Sequence, residues 1–139
     1  MRKIESQMIQ AIEDNTNWTS ANTCVTLEDG ISKVYLHGNL IAEIDENSLK
    51  LYDGGYQSNT TKSRLNALCA AFAVAGEGVF QKNWTWFIRL WNGTEFFTTE
   101  FRSGMRLAWS KLKSFLFSSF SKCKTSTSNT PKILSSPEI

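Results

Sequence analysis

Catalysis by a Ser/His/Asp or Cys/His set in this 139-residue chain would have to use His37, because it is the single histidine. His37 stands between Leu36 and Gly38 at a predicted hairpin tip, where a packed or hydrogen-bonded turn residue is the simpler explanation. No nucleophile-elbow motif accompanies it. The sequence therefore predicts a protein that is not an enzyme and has no catalytic residues.

Residue types that bind metals are present, but their spacing does not suit a metal site. Four acidic residues of the meander region match no calcium-loop pattern, and solvated turns explain them. These residues are Glu43, Asp45, Glu46 and Asp53. Cys24, Cys69 and Cys123 are odd in number and widely spaced, which predicts reduced thiols rather than disulfides or zinc ligands. We therefore expect no metal and no cofactor.

A glycine-bearing loop over residues 53–64 brings hydroxyl groups and two cations to the predicted start of a helix. Free backbone N–H groups and the positive end of the helix dipole favour an anion there. The spacing is not that of a P-loop or a dinucleotide fingerprint, and a plain loop with a capping threonine and solvated cations is the alternative. The candidate phosphate-binding residues are Thr60, Thr61, Lys62, Ser63 and Arg64.

Aromatic residues are concentrated between residues 80 and 101, with basic residues among them. If this segment is a strand, Trp84 and Trp86 share one face. The other face then carries Phe87, Arg89 and Trp91. One face must join the core, and the other could stack the bases of single-stranded nucleic acid. The alternative is that both faces are covered, by the core or by an oligomer interface. Trp84, Trp86 and Arg89 are therefore candidate ligand-binding residues.

The elements that would position these residues are mostly short strands. Alternating apolar residues predict four consecutive strands within residues 22–52, separated by polar turns. Asn92-Gly93 predicts a further hairpin between residues 84–91 and 95–101. The sequence thus predicts an α+β fold, with an antiparallel sheet made of a four-strand meander plus a second hairpin.

Three helices are predicted around this sheet. Helical spacing predicts a short N-terminal helix up to about Asn15, and a central helix that ends at Gly76 and buries Leu65, Leu68 and Phe72. Apolar residues recur at the same spacing from Arg102, beginning with Met105, to about Lys122. They predict a basic amphipathic helix that packs on the sheet or, alternatively, lies on an anionic membrane.

The charge distribution divides the chain into a mildly acidic body and a basic end. Residues 1–108 carry ten Lys or Arg against twelve Asp or Glu, whereas residues 109–139 carry five Lys against one Glu. We expect residues 1–108 to form a single α+β domain, residues 109–122 the amphipathic helix, and residues 123–139 a flexible tail. The longest apolar run is nine residues, while a membrane-spanning helix needs about 20, so no transmembrane segment is expected.

Four segments carry a resemblance to a known family: VYLHGNLIAEI, LYDGGYQSNTTKSRLNAL, GEGVFQKNWTWF and FRSGMRLA. They resemble a family of small proteins encoded by bacteriophages, including phages of marine bacteria and cyanobacteria, over residues 2–108. Ser103 departs from the acidic residue that more often precedes Gly-Met in that family. The resemblance implies a viral accessory protein in the host cytoplasm, and it implies no activity or functional residue.

The function predicted from these observations is that of a non-enzymatic phage accessory protein acting in the infected bacterium. It would bind a phosphate-bearing ligand, with nucleic acid as the leading choice, through the loop cations and the Trp-rich hairpin. A modulator of a host protein, acting through an exposed aromatic surface, is the rival hypothesis. A scavenger of small nucleotide signals is the third, and a homo-oligomer is compatible with all of them.

Overall fold

The computed structural model describes residues 1–108, which form two helices and nine strands in two antiparallel sheets. The elements are α1 Lys3–Glu13, β1 Trp18–Ser20, β2 Thr23–Glu28, β3 Ile31–Leu36, β4 Asn39–Ile44, β5 Ser48–Leu51, α2 Asn59–Phe72, β6 Gly78–Lys82, β7 Thr85–Trp91, β8 Phe96–Glu100 and β9 Met105–Ala108. The α+β class is confirmed. The helix expected over residues 109–122 and the tail over residues 123–139 lie outside the described residues.

The larger sheet has six strands in the order β1-β2-β3-β4-β5-β9. Its centre, β2 to β5, is the predicted meander, and β1 and β9 extend it at the two edges. Met105 was expected to begin the C-terminal helix, and this expectation is wrong. Met105 instead pairs with Leu51 and Leu107 pairs with Leu49, so both side chains alternate onto the buried face of the sheet.

The smaller sheet has three strands in the order β6-β7-β8. The hairpin of β7 and β8 is the predicted one, and β6 is an additional strand. Trp84 was expected inside a strand, but it lies in the turn between β6 and β7. Because Lys82 pairs with Thr85, only Asn83 and Trp84 remain for this turn, with φ of 52° and 66°. A two-residue hairpin turn of this type requires positive φ at both positions.

The two helices contribute to one apolar core beneath the sheets. α1 buries Met8 and Ile12. α2 buries Leu65, Leu68 and Phe72, the three residues that the helical spacing predicted for it. α2 ends at Phe72 rather than at Gly76, because Ala73 already adopts an extended conformation with ψ of 179°. Within residues 1–108, neither helix is long and apolar enough to cross a membrane.

Candidate nucleic-acid interface

Side chains near the start of α2 form hydrogen bonds with one another and with the backbone of the helix. Ser58 is the N-cap, and its hydroxyl oxygen accepts a hydrogen bond from the backbone N–H of Thr61 at 3.1 Å. Thr61 is buried, and its hydroxyl is hydrogen-bonded to that of Ser58 at 2.9 Å. Thr60 and Lys62 are half-buried. Of the five residues predicted to bind phosphate here, these two are therefore the ones whose side chains are partly accessible and make no hydrogen bond or ion pair with the described residues.

Arg64 was expected to be an exposed cation in the first turns of α2, and this expectation is wrong. Arg64 is only 3% exposed, and its Nη1 donates to Oε2 of Glu5 at 2.8 Å. Its Nε donates to the hydroxyl of Thr23 at 3.1 Å, and its Nη2 donates to Oδ1 of Asn22 at 3.3 Å. The guanidinium thus joins α2 to α1 and β2, because a buried cation needs a paired anion and further acceptors.

Glu5 is the anion of this buried pair. Burial by itself raises the pKa of its carboxyl group. Hydrogen bonds from Ser63, from the backbone of Arg2 and from Arg64, together with the charge of Arg64, lower that pKa. The lowering effects are larger in sum, so the pKa of Glu5 lies below its ordinary value of 4.5. The hydroxyl of Ser63 donates to Oε2 of Glu5 at 2.6 Å. Ser63 and Arg64 are therefore partners of a structural carboxylate in this fold.

A cavity of about 230 Å³ lies beside the start of α2. It is lined by His37, Asp53, Tyr56 and Thr60, among others. Asp53 places a carboxylate in the lining, where it disfavours a second anion. His37 is exposed in the turn between β3 and β4, with φ of 53°. The geometry at this helix start is thus less suited to a phosphate than its sequence suggested.

The smaller sheet has one face in the core and one face directed outward. Cross-strand partners in an antiparallel sheet share a face, so Trp86 lies with Val79 and Ile88 on the buried side. Trp86 is 2% exposed and packs edge-on against Phe101, with ring centroids 5.5 Å apart. Trp86 is therefore a core residue in this structure rather than an exposed ring.

The opposite side of the smaller sheet carries an aromatic surface. Phe80 and Phe87 are paired across β6 and β7, with ring centroids 5.8 Å apart and planes inclined by 24°. Trp91 and Phe96 are paired across β7 and β8, with centroids 4.9 Å apart. Arg89 lies between the two ring pairs along β7. We call Phe80, Phe87, Arg89, Trp91 and Phe96 the outer face.

Arg89 is held on the outer face by a ring rather than by a carboxylate. Its Cζ lies 4.3 Å from the centroid of Phe96, which is the distance of a cation–π contact. The residue is exposed, and no salt bridge to it is found within the described part of the chain. Lys82 lies on the same face as Phe80, and Glu100 lies opposite Phe87. With Lys82 and Glu100 added to it, the outer face combines four rings with two cations and one acid.

Two contacts fix the rings of the outer face from behind. A Cβ atom placed on Gly76 would be 2.6 Å from Cζ of Phe96, so this ring packs against the backbone of Gly76. Oε2 of Glu77, the residue before β6, accepts a hydrogen bond from the backbone N–H of Trp91 at 2.9 Å. Trp91 lies two residues past Arg89, which pairs with the first residue of β6. The ring pair of Trp91 and Phe96 is therefore preorganised by the turn that precedes β6.

Trp84 is the most exposed large apolar residue of the described chain, at 91%. It occupies the tip of the hairpin whose strands carry Phe80 and Phe87. Its φ of 66° is unusual for a bulky residue, and glycine is the usual occupant of this second turn position. An exposed ring in a strained backbone conformation is typical of a binding position.

Sequence reasoning separated the two faces of β7 correctly but did not name the rings of the outer face as site residues. Phe87 and Trp91 were placed with Arg89 by alternation alone, whereas Phe80 and Phe96 belong to neighbouring strands. Alternation along residues 78–82 would have shown that Phe80 faces Phe87 once β6 was recognised.

Residues 1–108 thus define a small α+β protein with an open aromatic sheet face. The chain belongs to the Kyanoviridae Gp96 protein family, whose model matches residues 1–108. The Kyanoviridae are cyanophages, so the resemblance to small phage-encoded proteins is confirmed. Comparison with curated proteins gave no match, and comparison with solved structures gave none either.

Proposed function

We propose that this phage protein binds single-stranded nucleic acid on the outer face of its smaller sheet. In this proposal it is a non-enzymatic accessory protein that acts in the cytoplasm of the infected bacterium. Bases stack on the exposed rings, and the cations of the same face meet the phosphates. Stacking on aromatic rings tolerates any base sequence, so we expect little sequence preference.

The observation that carries the proposal is the co-location of four rings and Arg89 on one outward side of three adjacent strands. Neighbouring strands lie about 4.8 Å apart, which brings rings on adjacent strands close enough to contact successive bases. Arg89 already contacts Phe96 at 4.3 Å from its ring centroid, and its charge is not neutralised by a carboxylate of the described residues. Such a cation is available to a phosphate oxygen.

Local charge supports this ligand better than the net charge of the domain does. Residues 1–108 have two more acidic than basic residues, and the excess of lysine is found after residue 108. Lys82 and Arg89 both lie on the outer face, where Glu100 is the single acid. The binding energy is therefore expected to come mainly from stacking, with a modest dependence on salt.

The test compares two phenylalanines of the same sheet that have similar exposure and lie on opposite faces. Phe80 is 37% exposed on the outer face, and Phe97 is 42% exposed on the face of Leu90. Binding of a fluorescein-labelled oligothymidylate is followed by fluorescence anisotropy. Phe80→Ala should weaken binding by about 1–3 kcal/mol, the value of one stacked base. Phe97→Ala should leave the affinity unchanged.

A second variant tests the electrostatic contact. Arg89→Gln should lower the slope of log K against log salt concentration by about 0.7, because one phosphate contact to a single strand is lost. The same affinity loss for Phe80→Ala and Phe97→Ala would reject the outer face as the binding surface. No binding by the unmutated protein at low salt would reject nucleic acid as the ligand.

The same outer face also fits an apolar protein partner, since it presents one exposed ring, Phe80, and three half-buried rings on one side of the sheet. A host protein captured from infected cells that persists after nuclease treatment, and is lost with Phe80→Ala, would favour the modulator of a host protein. Capture that disappears with nuclease favours direct binding of nucleic acid.

A further inference from the structure

The edge of β8 that faces away from β7 has backbone groups whose direction follows from the β7–β8 pairing. The N–H of Phe101 donates to the carbonyl of Trp86 at 3.0 Å, and the N–H of Asn92 donates to the carbonyl of Glu95 at 3.1 Å. Because hydrogen-bonded pairs alternate along an antiparallel ladder, residues 97 and 99 also bond to β7. The N–H and C=O groups of Phe96, Thr98 and Glu100 therefore lie in the plane of the sheet and point away from β7.

The other edge of the same sheet, on β6, is bonded at Val79. Lys82 and Thr85 form the pair that precedes the β6–β7 turn, so the backbone groups of Val79 point outward. The side-chain amide of Asn66 bonds both of them: Nδ2 donates to the carbonyl of Val79 at 2.8 Å, and Oδ1 accepts from its N–H at 2.7 Å. Within residues 1–108, no strand pairs with the outward edge of β8.

Apart from the charge of Glu100, the β8 edge lacks the features that protect exposed strands from pairing. It contains no proline and no lysine, and four of its five residues are exposed. Its sequence, FFTTE, consists largely of residues that favour strands. An edge of this kind is a template for another strand.

β8 is complementary to itself in antiparallel orientation. Thr98 is its middle residue, so a two-fold axis at Thr98 pairs Thr98 with Thr98, and Phe96 with Glu100 of the second copy. All three outward-pointing residues then form hydrogen-bonded pairs. The carboxylate of Glu100 of the second copy would lie beside Phe96, where the guanidinium of Arg89 is already placed at 4.3 Å from the ring centroid. This pairing thus joins opposite charges at two symmetric positions.

We propose that β8 pairs with β8 of a second copy of this chain, so that the two three-stranded sheets become one sheet of six strands. The outer faces of the two copies are then continuous, because the pairing keeps each copy's rings on the same side. This inference extends the proposed function, because the dimer would double the length of the outer face. The argument for the dimer itself rests only on the geometry of the β8 edge.

The test measures the molar mass of the full chain by light scattering over a dilution series. The unmutated protein should show twice the 15.7 kDa of one chain at high concentration. Thr98→Pro removes the central outward N–H without removing a hydrogen bond to β7, and it should yield monomer only. Thr98→Ala keeps that N–H and should remain dimeric. Circular dichroism and thermal unfolding check that both variants are folded.

A charge exchange gives a second measurement that does not involve proline. Glu100→Arg should weaken the dimer by placing like charges together, and combining it with Arg89→Glu should restore the dimer. Monomer at every concentration for the unmutated protein, or a dimer that persists in Thr98→Pro, would overturn the proposal. A monomer that still binds oligothymidylate rejects the dimer and leaves the proposed function standing. A dimer that binds no oligothymidylate supports the dimer and rejects the proposed function.

Discussion

Trp84→Gly is expected to make the protein more stable and its ligand binding weaker at the same time. The change converts the β6–β7 turn from Asn-Trp to Asn-Gly, which is the preferred dipeptide when both turn residues have positive φ. Trp84 is 91% exposed, so almost no burial is lost with its ring. A conformation that is costly for tryptophan is then adopted by glycine without strain.

The expected gain in stability is the difference between two effects. A left-handed conformation costs a non-glycine residue about 1–2 kcal/mol. Glycine increases the entropy of the unfolded chain, which offsets about 0.4–1 kcal/mol of that relief. The free energy of unfolding should therefore rise by about 0.5–1 kcal/mol, and the melting temperature by roughly 2–8 °C for a domain of this size.

The expected loss of affinity has a different origin. If Trp84 stacks on a base, its removal should cost about 1–3 kcal/mol, which is roughly a 5- to 150-fold weaker binding of oligothymidylate. Chemical denaturation and fluorescence anisotropy measure the two quantities on the same preparation. Trp84→Phe is the matched control, since it keeps both an aromatic ring and the backbone strain. It should change neither quantity much.

Two results would refute this reasoning separately. A Trp84→Gly variant that is less stable than the unmutated protein would show that the ring packs favourably in solution, contrary to its exposure. An unchanged affinity would remove Trp84 from the interface and restrict binding to the outer face.

Other substitutions test the fold that supports the outer face. Leu68→Ala should lower the free energy of unfolding by about 2–5 kcal/mol, because Leu68 is fully buried on α2; a near-neutral change in a urea titration would contradict that placement. Glu5→Gln should cost about 3–5 kcal/mol, since it leaves the charge of Arg64 buried without its partner. The lowered pKa of Glu5 also stabilises the fold above about pH 4.5, and this contribution is lost as the pH falls through that pKa; an acid titration of Glu5→Gln should lack it. Gly76→Ala should destabilise the protein and displace Phe96, because its φ is +100° and the new Cβ would meet the ring; unchanged unfolding and oligothymidylate binding would disprove this.

The elements that the sequence predicted are those whose partners are near in the chain. The meander and the β7–β8 hairpin join neighbouring segments through short turns, so alternation and turn residues suffice to predict them. β9 was missed because its partner, β5, is distant: Met105 pairs with Leu51. Four residues are also too few for periodicity to separate a strand from the start of a helix.

The same limit explains the error at Arg64. A cation near a helix start is solvated in most proteins, and nothing local indicates otherwise. Its partner, Glu5, is 59 residues away in sequence, on a different helix. A lone Glu at the third position of α1 could equally be a capping residue, and its Oε1 does accept a bond from the N–H of Arg2 at 3.2 Å. Burial of the pair depends on how α1 packs against α2.

The polar groups around the smaller sheet explain why the candidate site lies there and not at α2. Glu5 satisfies Arg64 in the interior, Asn66 satisfies the edge of β6, and Glu77 satisfies the N–H of Trp91. Structural partners thus hold Thr61, Ser63 and Arg64, three of the five residues predicted to bind phosphate, and the outward backbone groups of Val79. Within residues 1–108, these contacts leave open the outer face, the strained ring of Trp84 and the outward groups of β8. Because a folded chain normally buries its rings and pairs its strand edges, the proposed oligonucleotide and the proposed second copy would each cover a feature that residues 1–108 leave open.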